Sequence, residues 1–184
     1  SSEEEEGKAS VDLPSLSCGG ISGAAAIVVE EDFSAAGQVL LLGGGSAGNG
    51  PASSTVQLVD QTTGACAPQN NLLHRRYVAA AGRLQDRRVV CAGGIGANQS
   101  AELWKPPEQG KADAALSWRE LAAMSAGRYG CCGCVMSDGR FAVLGGESNN
   151  GDPMSSCEAL VIDGDAHWEP LPPMHDSRRL FACG

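Results

Sequence analysis

Short apolar runs bounded by turn residues succeed one another along this chain, and nothing of helical period competes with them. The clearest stretch is Arg128 to Met136, small and apolar, then Ser137-Asp138-Gly139, then Arg140 to Leu144 ending on Gly145-Gly146. Two such runs joined through an Asp-Gly step predict a hairpin. A third strand follows at Ser156 to Ile162, and the turn Asp163-Gly164-Asp165 leads into a fourth at His167 to Leu171. The same reading upstream predicts strands over Arg76–Leu84, Arg87–Cys91, Ser100–Trp104 and Leu116–Leu121.

These strands repeat at a long period. The glycine pairs are Gly43-Gly44, Gly93-Gly94 and Gly145-Gly146, in steps of 50 and 52 residues. Each is followed after 22, 24 and 22 residues by Cys66, Trp118 and Trp168, and ten residues later by Arg76, Arg128 and Arg178. A period in this range signals a solenoid, a propeller or an array. The first unit is recovered by laying Ile21-Ser22-Gly23 over Arg128-Tyr129-Gly130; its first hairpin then carries a five-residue insertion within Glu30 to Ala36.

An apolar strand ending in Gly-Gly, an acid in the third strand and a Trp in the fourth together resemble the kelch repeat. Glu102 and Glu158 fill the acidic slot and Trp118 and Trp168 the aromatic one, while the first unit has Gln57 and Cys66 there. Leu171-Pro172-Pro173-Met174 followed by Arg178 adds to the likeness. The resemblance implies an all-β fold, a partial kelch-type β-propeller of three four-stranded antiparallel blades plus the first strand of a fourth. Its repeats span about 21–71, 72–124 and 125–175, with the next beginning at 176–184. Since repeat units bury their faces only against neighbours, the expectation is a piece of a longer chain or a ring closed by association.

Charge changes this picture little. Residues 1–32 hold eight acids against Lys8, so they carry −7 of the net −9 and leave −2 for the repeats. Residues 1–17 read as an acidic, disordered linker, and 18–184 as the propeller. No apolar run approaches the length of a membrane span. The eight cysteines fall largely where other repeats have Ala, Val or Gly, and so read as small core residues rather than a disulfide set. That favours a reducing setting, cytoplasmic or nuclear.

Cys131-Cys132-Gly133-Cys134 has the look of a metal motif, but Cys131 and Cys134 on one strand project to opposite faces. Packing of an innermost strand is the expected role, and no metal and no cofactor is implied. Gly43-Gly44-Gly45-Ser46 lacks the ending of a phosphate loop and leads into no helix.

The arginines are the expected binding residues. Arg76, Arg128 and Arg178 or Arg179 begin the innermost strands, at the mouth of the central channel. By the resemblance, arginines in an Arg-x-Gly context bind acidic peptide motifs, and Arg128-Tyr129-Gly130 matches that context best. The alternative is a structural arginine bonding loop carbonyls. The same face carries the loops Gly45–Ser53, Ile95–Asn98 and Glu147–Ser155, which add Asn98, Ser148 and Asn149 as contact residues.

The expected function is therefore recognition of a protein partner, with no nucleic acid and no membrane. The resemblance extends this to the substrate-recognition part of a ubiquitin-ligase adaptor, with actin-binding or scaffolding roles as the alternative. An enzyme is the minority expectation. A galactose-oxidase-like copper oxidoreductase has related blades, but Tyr77 and Tyr129 share one repeat slot, as repetition alone would place them.

Overall fold

The structure is a computed structural model and describes residues 15–19, 21–29, 38–46, 50–105 and 118–182. The acidic segment 1–14, the hairpin insertion at 30–36 and Cys183 lie outside the described residues.

Three four-stranded antiparallel sheets form. The first holds β2 (Ala25–Val28), β3 (Gln38–Leu42), β5 (Val56–Asp60) and β6 (Cys66–Gln69) in that order. The second holds β7 (Ala80–Arg83), β8 (Val89–Ala92), β9 (Ala101–Trp104) and β10 (Arg119–Glu120), and the third β11 (Cys132–Val135), β12 (Phe141–Leu144), β13 (Cys157–Val161) and β14 (His167–Leu171). Two short strands, β1 (Ile21–Ser22) and β4 (Gly45–Ser46), pair separately. The first strand of each sheet is innermost, because β7 lies against both β2 and β11. Among the described residues there is no helix.

The predicted strands exist, but the innermost ones begin late. Arg128 to Cys131 does not join β11; Tyr129 instead pairs with Glu147, and Gly130 donates to the carbonyl of Val78 in the preceding blade. These residues are the stitch between blades, which no pattern of apolar positions distinguishes from strand.

The core sits between blades rather than within one. Leu40, Leu42 and Val56 of the first blade close on Val89, Cys91 and Trp118 of the second. Ala80, Val90 and Leu103 of the second close on Phe141, Val143 and Leu160 of the third. Each blade thus buries its faces only with neighbours.

The fourth-strand tryptophans tie each blade to the linker before it. Trp118 donates its indole N–H to the carbonyl of Asn70 at 3.1 Å, and Trp168 donates to Ala122 at 2.8 Å, across 48 and 46 residues. In the first blade Cys66 stands in this slot and is disulfide-bonded to Cys18, 48 residues away. A covalent tether has replaced a hydrogen-bonded one.

This corrects the reading of the cysteines as small core residues rather than a disulfide set: Cys18, Cys66 and Cys132 are disulfide-bonded. The premise for a reducing setting goes with it. Cys91, Cys131 and Cys157 are buried free thiols, as expected of core residues. Burial pushes Cys91 up to about 12 and Cys131 up to about 11, so both stay protonated at neutral pH and are poor metal ligands.

Candidate functional site

The glycine pairs build the loop-bearing end of the blades. Both members are left-handed in every unit, from Gly43 (φ 65°) and Gly44 (φ 86°) to Gly145 (φ 55°) and Gly146 (φ 98°). A Cβ on Gly43, Gly93 or Gly145 would lie 2.6 Å from the backbone oxygen of Arg76, Arg128 or Arg178. Those oxygens in turn accept from the N–H of Gly44, Gly94 and Gly146. Only glycine permits both the conformation and the approach, so the pair and the next arginine are physically coupled.

The arginine backbones run past the 2–3 loops, as the topology predicts: Arg76, Arg128 and Arg178 donate to Ser53, Asn98 and Met154. Their side chains correct the expectation. Arg76 is 0 % exposed and Arg128 1 % exposed, so neither presents a guanidinium to a partner. The Arg76 guanidinium donates to the carbonyls of Gly93 (2.8 Å) and Ser100 (3.0 Å), to Ser100 Oγ (2.7 Å) and to Glu102 (2.8 Å). Arg128 repeats this with Gly145 (2.9 Å), Ser156 (2.8 Å), Ser156 Oγ (3.2 Å) and Glu158 (2.8 Å). The second carboxylate oxygens of Glu102 and Glu158 hold the linkers, accepting from the N–H of Leu73 (2.6 Å) and Ser125 (2.9 Å). A buried charge is tolerable when paired and hydrogen-bonded, and here the acid slot and the arginine slot of the repeat pair with one another; the Arg76 Nε also donates to Glu102, whereas the Arg128 Nε has no partner among the described residues.

Arg178 holds the equivalent position at the far junction, since its backbone bonds match those of Arg76 and Arg128, but its side chain is exposed. Arg179 therefore occupies the tyrosine slot. There it meets a group that departs from the repeat: Tyr129 Oη donates to Glu147 Oε1, and Arg179 donates to Glu147 Oε2. Glu147 is 9 % exposed, whereas the Arg179 side chain is 53 % exposed. The slot of Glu147 holds Ile95 in the second unit and Gly45 in the first, so among the described residues this triad exists at one junction.

Beside it Asn98 donates its side-chain amide to Asn149 Oδ1 at 2.6 Å, joining two loops over Gly127. Ser148 is a turn former, its Oγ accepting from the N–H of Asn150 and Asp152 at 3.3 Å each. The structure thus joins Asn98 to Asn149 and Arg179 to Glu147 on neighbouring loops, and withdraws Arg76 and Arg128 into the interior. Sequence reasoning missed Glu147 and Tyr129. The available signal was the glutamate standing where the other units have Ile or Gly.

The hydrogen bond from Tyr129, and then that from Arg179, holds the Glu147 carboxyl below the usual carboxylate range. The same bond to Glu147 pushes the Tyr129 phenol up. A carboxyl with a lowered folded-state pKa contributes its stabilisation above the unfolded value and loses it as pH falls through the folded one. On acidification the Tyr129 ring resonances are accordingly expected to move with a midpoint below about 4.3, the ordinary glutamate value. Arg179→Ala is expected to raise that midpoint. A wild-type transition at or above the ordinary value would show that the triad does not form in solution.

Solved structures with this arrangement identify the architecture. YjhT superposes with a TM-score of 0.60 at 16% identity, covering 82% of this chain and 46% of its own. A novel fungal alcohol oxidase of the AA5 family, in complex with copper, gives 0.58 at 20% identity, covering 86% of this chain and 31% of its own. Both are β-propellers. The chain folds as part of a β-propeller. It spans less than half the length of either structure. No family model matches the chain, and no curated protein does. At these identities the likeness concerns the fold. Among the described residues no group of three or more His, Cys, Asp or Glu is placed to hold a metal ion.

Proposed function

We propose that this partial propeller, read as kelch-type, is a protein-recognition module whose loop-bearing face takes an acidic segment of a partner. The observation that carries the reading is the Tyr129–Glu147–Arg179 group, which stands where the repeat has no counterpart. The repeated pairs Arg76–Glu102 and Arg128–Glu158 serve the scaffold; of the group that breaks the repeat, Arg179 is exposed on the loop-bearing face, where recognition usually lives. Arg179, with a side chain 53 % exposed, keeps donors able to form charge-assisted bonds to a partner's carboxylates. The finer proposal is the substrate-recognition part of a ubiquitin-ligase adaptor.

Binding to an array of acidic peptides tests this. Salt-sensitive binding is expected, about tenfold weaker for Arg179→Ala, with the melting temperature nearly unchanged. Arg140→Ala, at the opposite end of the blade and paired with Asp138 and Glu169, is expected to leave binding intact. Equal binding by all three proteins would remove the site.

The likeness to the copper-bound alcohol oxidase supports a second reading, a copper oxidoreductase. It differs in outcome: stoichiometric copper in the purified protein together with alcohol oxidation would establish it, and acidic-peptide binding would then be incidental.

A further inference from the structure

The first unit has lost both partners of the buried ion pair at once. Ile21 stands in the slot of Arg76 and Arg128, and Gln57 in that of Glu102 and Glu158. The rest of the arginine socket remains. Gly43 donates to the carbonyl of Thr55 as Gly93 does to Ser100 and Gly145 to Ser156. In the other two blades those glycine and serine carbonyls, with the serine hydroxyl and the acid, are the acceptors of the guanidinium.

In the first blade this space is an open cavity of about 450 Å³, lined by Ile21, Gly43, Ser53, Thr55, Gln57 and Arg75 among others. Gln57 Oε1 is buried there without a hydrogen-bond partner among the described residues. A buried acceptor left unmade is costly, and the second and third blades show which donor this acceptor set fits. An ammonium offers three donors from a point, whereas a guanidinium offers a planar fork, the shape these carbonyls hold elsewhere in the molecule.

We infer that the vacated socket of the first blade binds a guanidinium group from outside the blade, the side chain of an arginine in a partner segment. Its carbonyls and the Gln57 amide take the place that the blade's own Glu–Arg pair would fill. Because Gln57 is neutral, recognition is by hydrogen-bond geometry more than by charge. Arg75, exposed at the rim, repels a second cation and is the alternative occupant.

The test is an NMR titration of the full chain with N-acetyl-arginine amide. Saturable shifts are expected at the amides of Gly43, Thr55 and Gln57, with binding about tenfold weaker for the neutral N-acetyl-citrulline amide. Ile21→Arg/Gln57→Glu, which restores the blade's own occupant, and Gln57→Leu, which removes the acceptor, are each expected to abolish the shifts. Sedimentation of Arg178→Ala separates two sources: loss of self-association would assign the guanidinium to Arg178 of a second copy, unchanged behaviour to a different chain. The inference is overturned if no shifts saturate, if citrulline binds equally, or if the shifts persist in both socket variants. It is overturned equally if binding appears only after Arg75→Ala, since Arg75 would then be the resident occupant.

Discussion

Arg128→Ile is expected to destabilise the protein by about 3–5 kcal/mol, the usual cost of removing one partner from a buried ion pair. Glu158 is 3 % exposed and would keep a charge with no counterion. Such a loss is a large share of the roughly 5–15 kcal/mol that holds a domain folded. The second substitution is already written in the first blade: Arg128→Ile/Glu158→Gln reproduces Ile21 and Gln57. The double variant is expected to be more stable than Arg128→Ile alone, because no unpaired charge stays buried, although the carbonyls of Gly145 and Ser156 still lose a donor. Urea midpoints of the three proteins decide it. A double variant no more stable than the single one would mean that Arg128 acts through its hydrogen bonds and not its charge.

Trp118→Ala is expected to cost a similar amount, about 3–5 kcal/mol, by opening a cavity between the first and second blades. Trp118 is 3 % exposed and packs with Leu40, Leu42 and Val56 of the preceding unit and with Leu72, Val89 and Cys91 of its own. Losing its indole N–H also leaves the carbonyl of Asn70 without that donor. Trp168→Ala is expected to cost less, since Trp168 is only half-buried and packs edge-on against Phe141 at 6.5 Å. The degenerate slot is not a dispensable one: Cys66→Ala removes a cystine, at about 2–4 kcal/mol, and this cost is expected to vanish when wild type and variant are compared under reduction. Denaturant melts of Trp118→Ala and Trp168→Ala showing equal losses would contradict the burial difference between them.

Periodicity carried most of the architecture. Gly-Gly, the third-strand acid, the fourth-strand Trp and the arginine recur at fixed intervals because each meets a neighbour in every blade. Four strands per unit, their order and the end at which the arginines lie all followed. The function of the arginines did not. A strand-initial arginine at a channel mouth has the same sequence context whether it faces solvent or turns inward, and only the nearby carbonyls and Glu158 select the inward rotamer. The Cys18–Cys66 pairing escaped for a related reason: Cys18 lies outside the repeat ruler, and its proximity to the aromatic slot follows from the linker's course across the blade.

By itself, the sequence determined what repeats: three four-stranded units, glycine-pair turns and an acid and an arginine in matched slots, since these are local constraints imposed once per blade. Only the tertiary structure decided what does not repeat. Glu147 reaches Tyr129 and Arg179 because the chain brings a loop of the third blade against the segment that follows it. The cavity at Ile21 and Gln57 exists because two substitutions 36 positions apart in sequence fall on one socket in space. Contacts between blades close over distances that no local pattern spans, so the scaffold is readable residue by residue, and the sites on it appear only when the blades are put together.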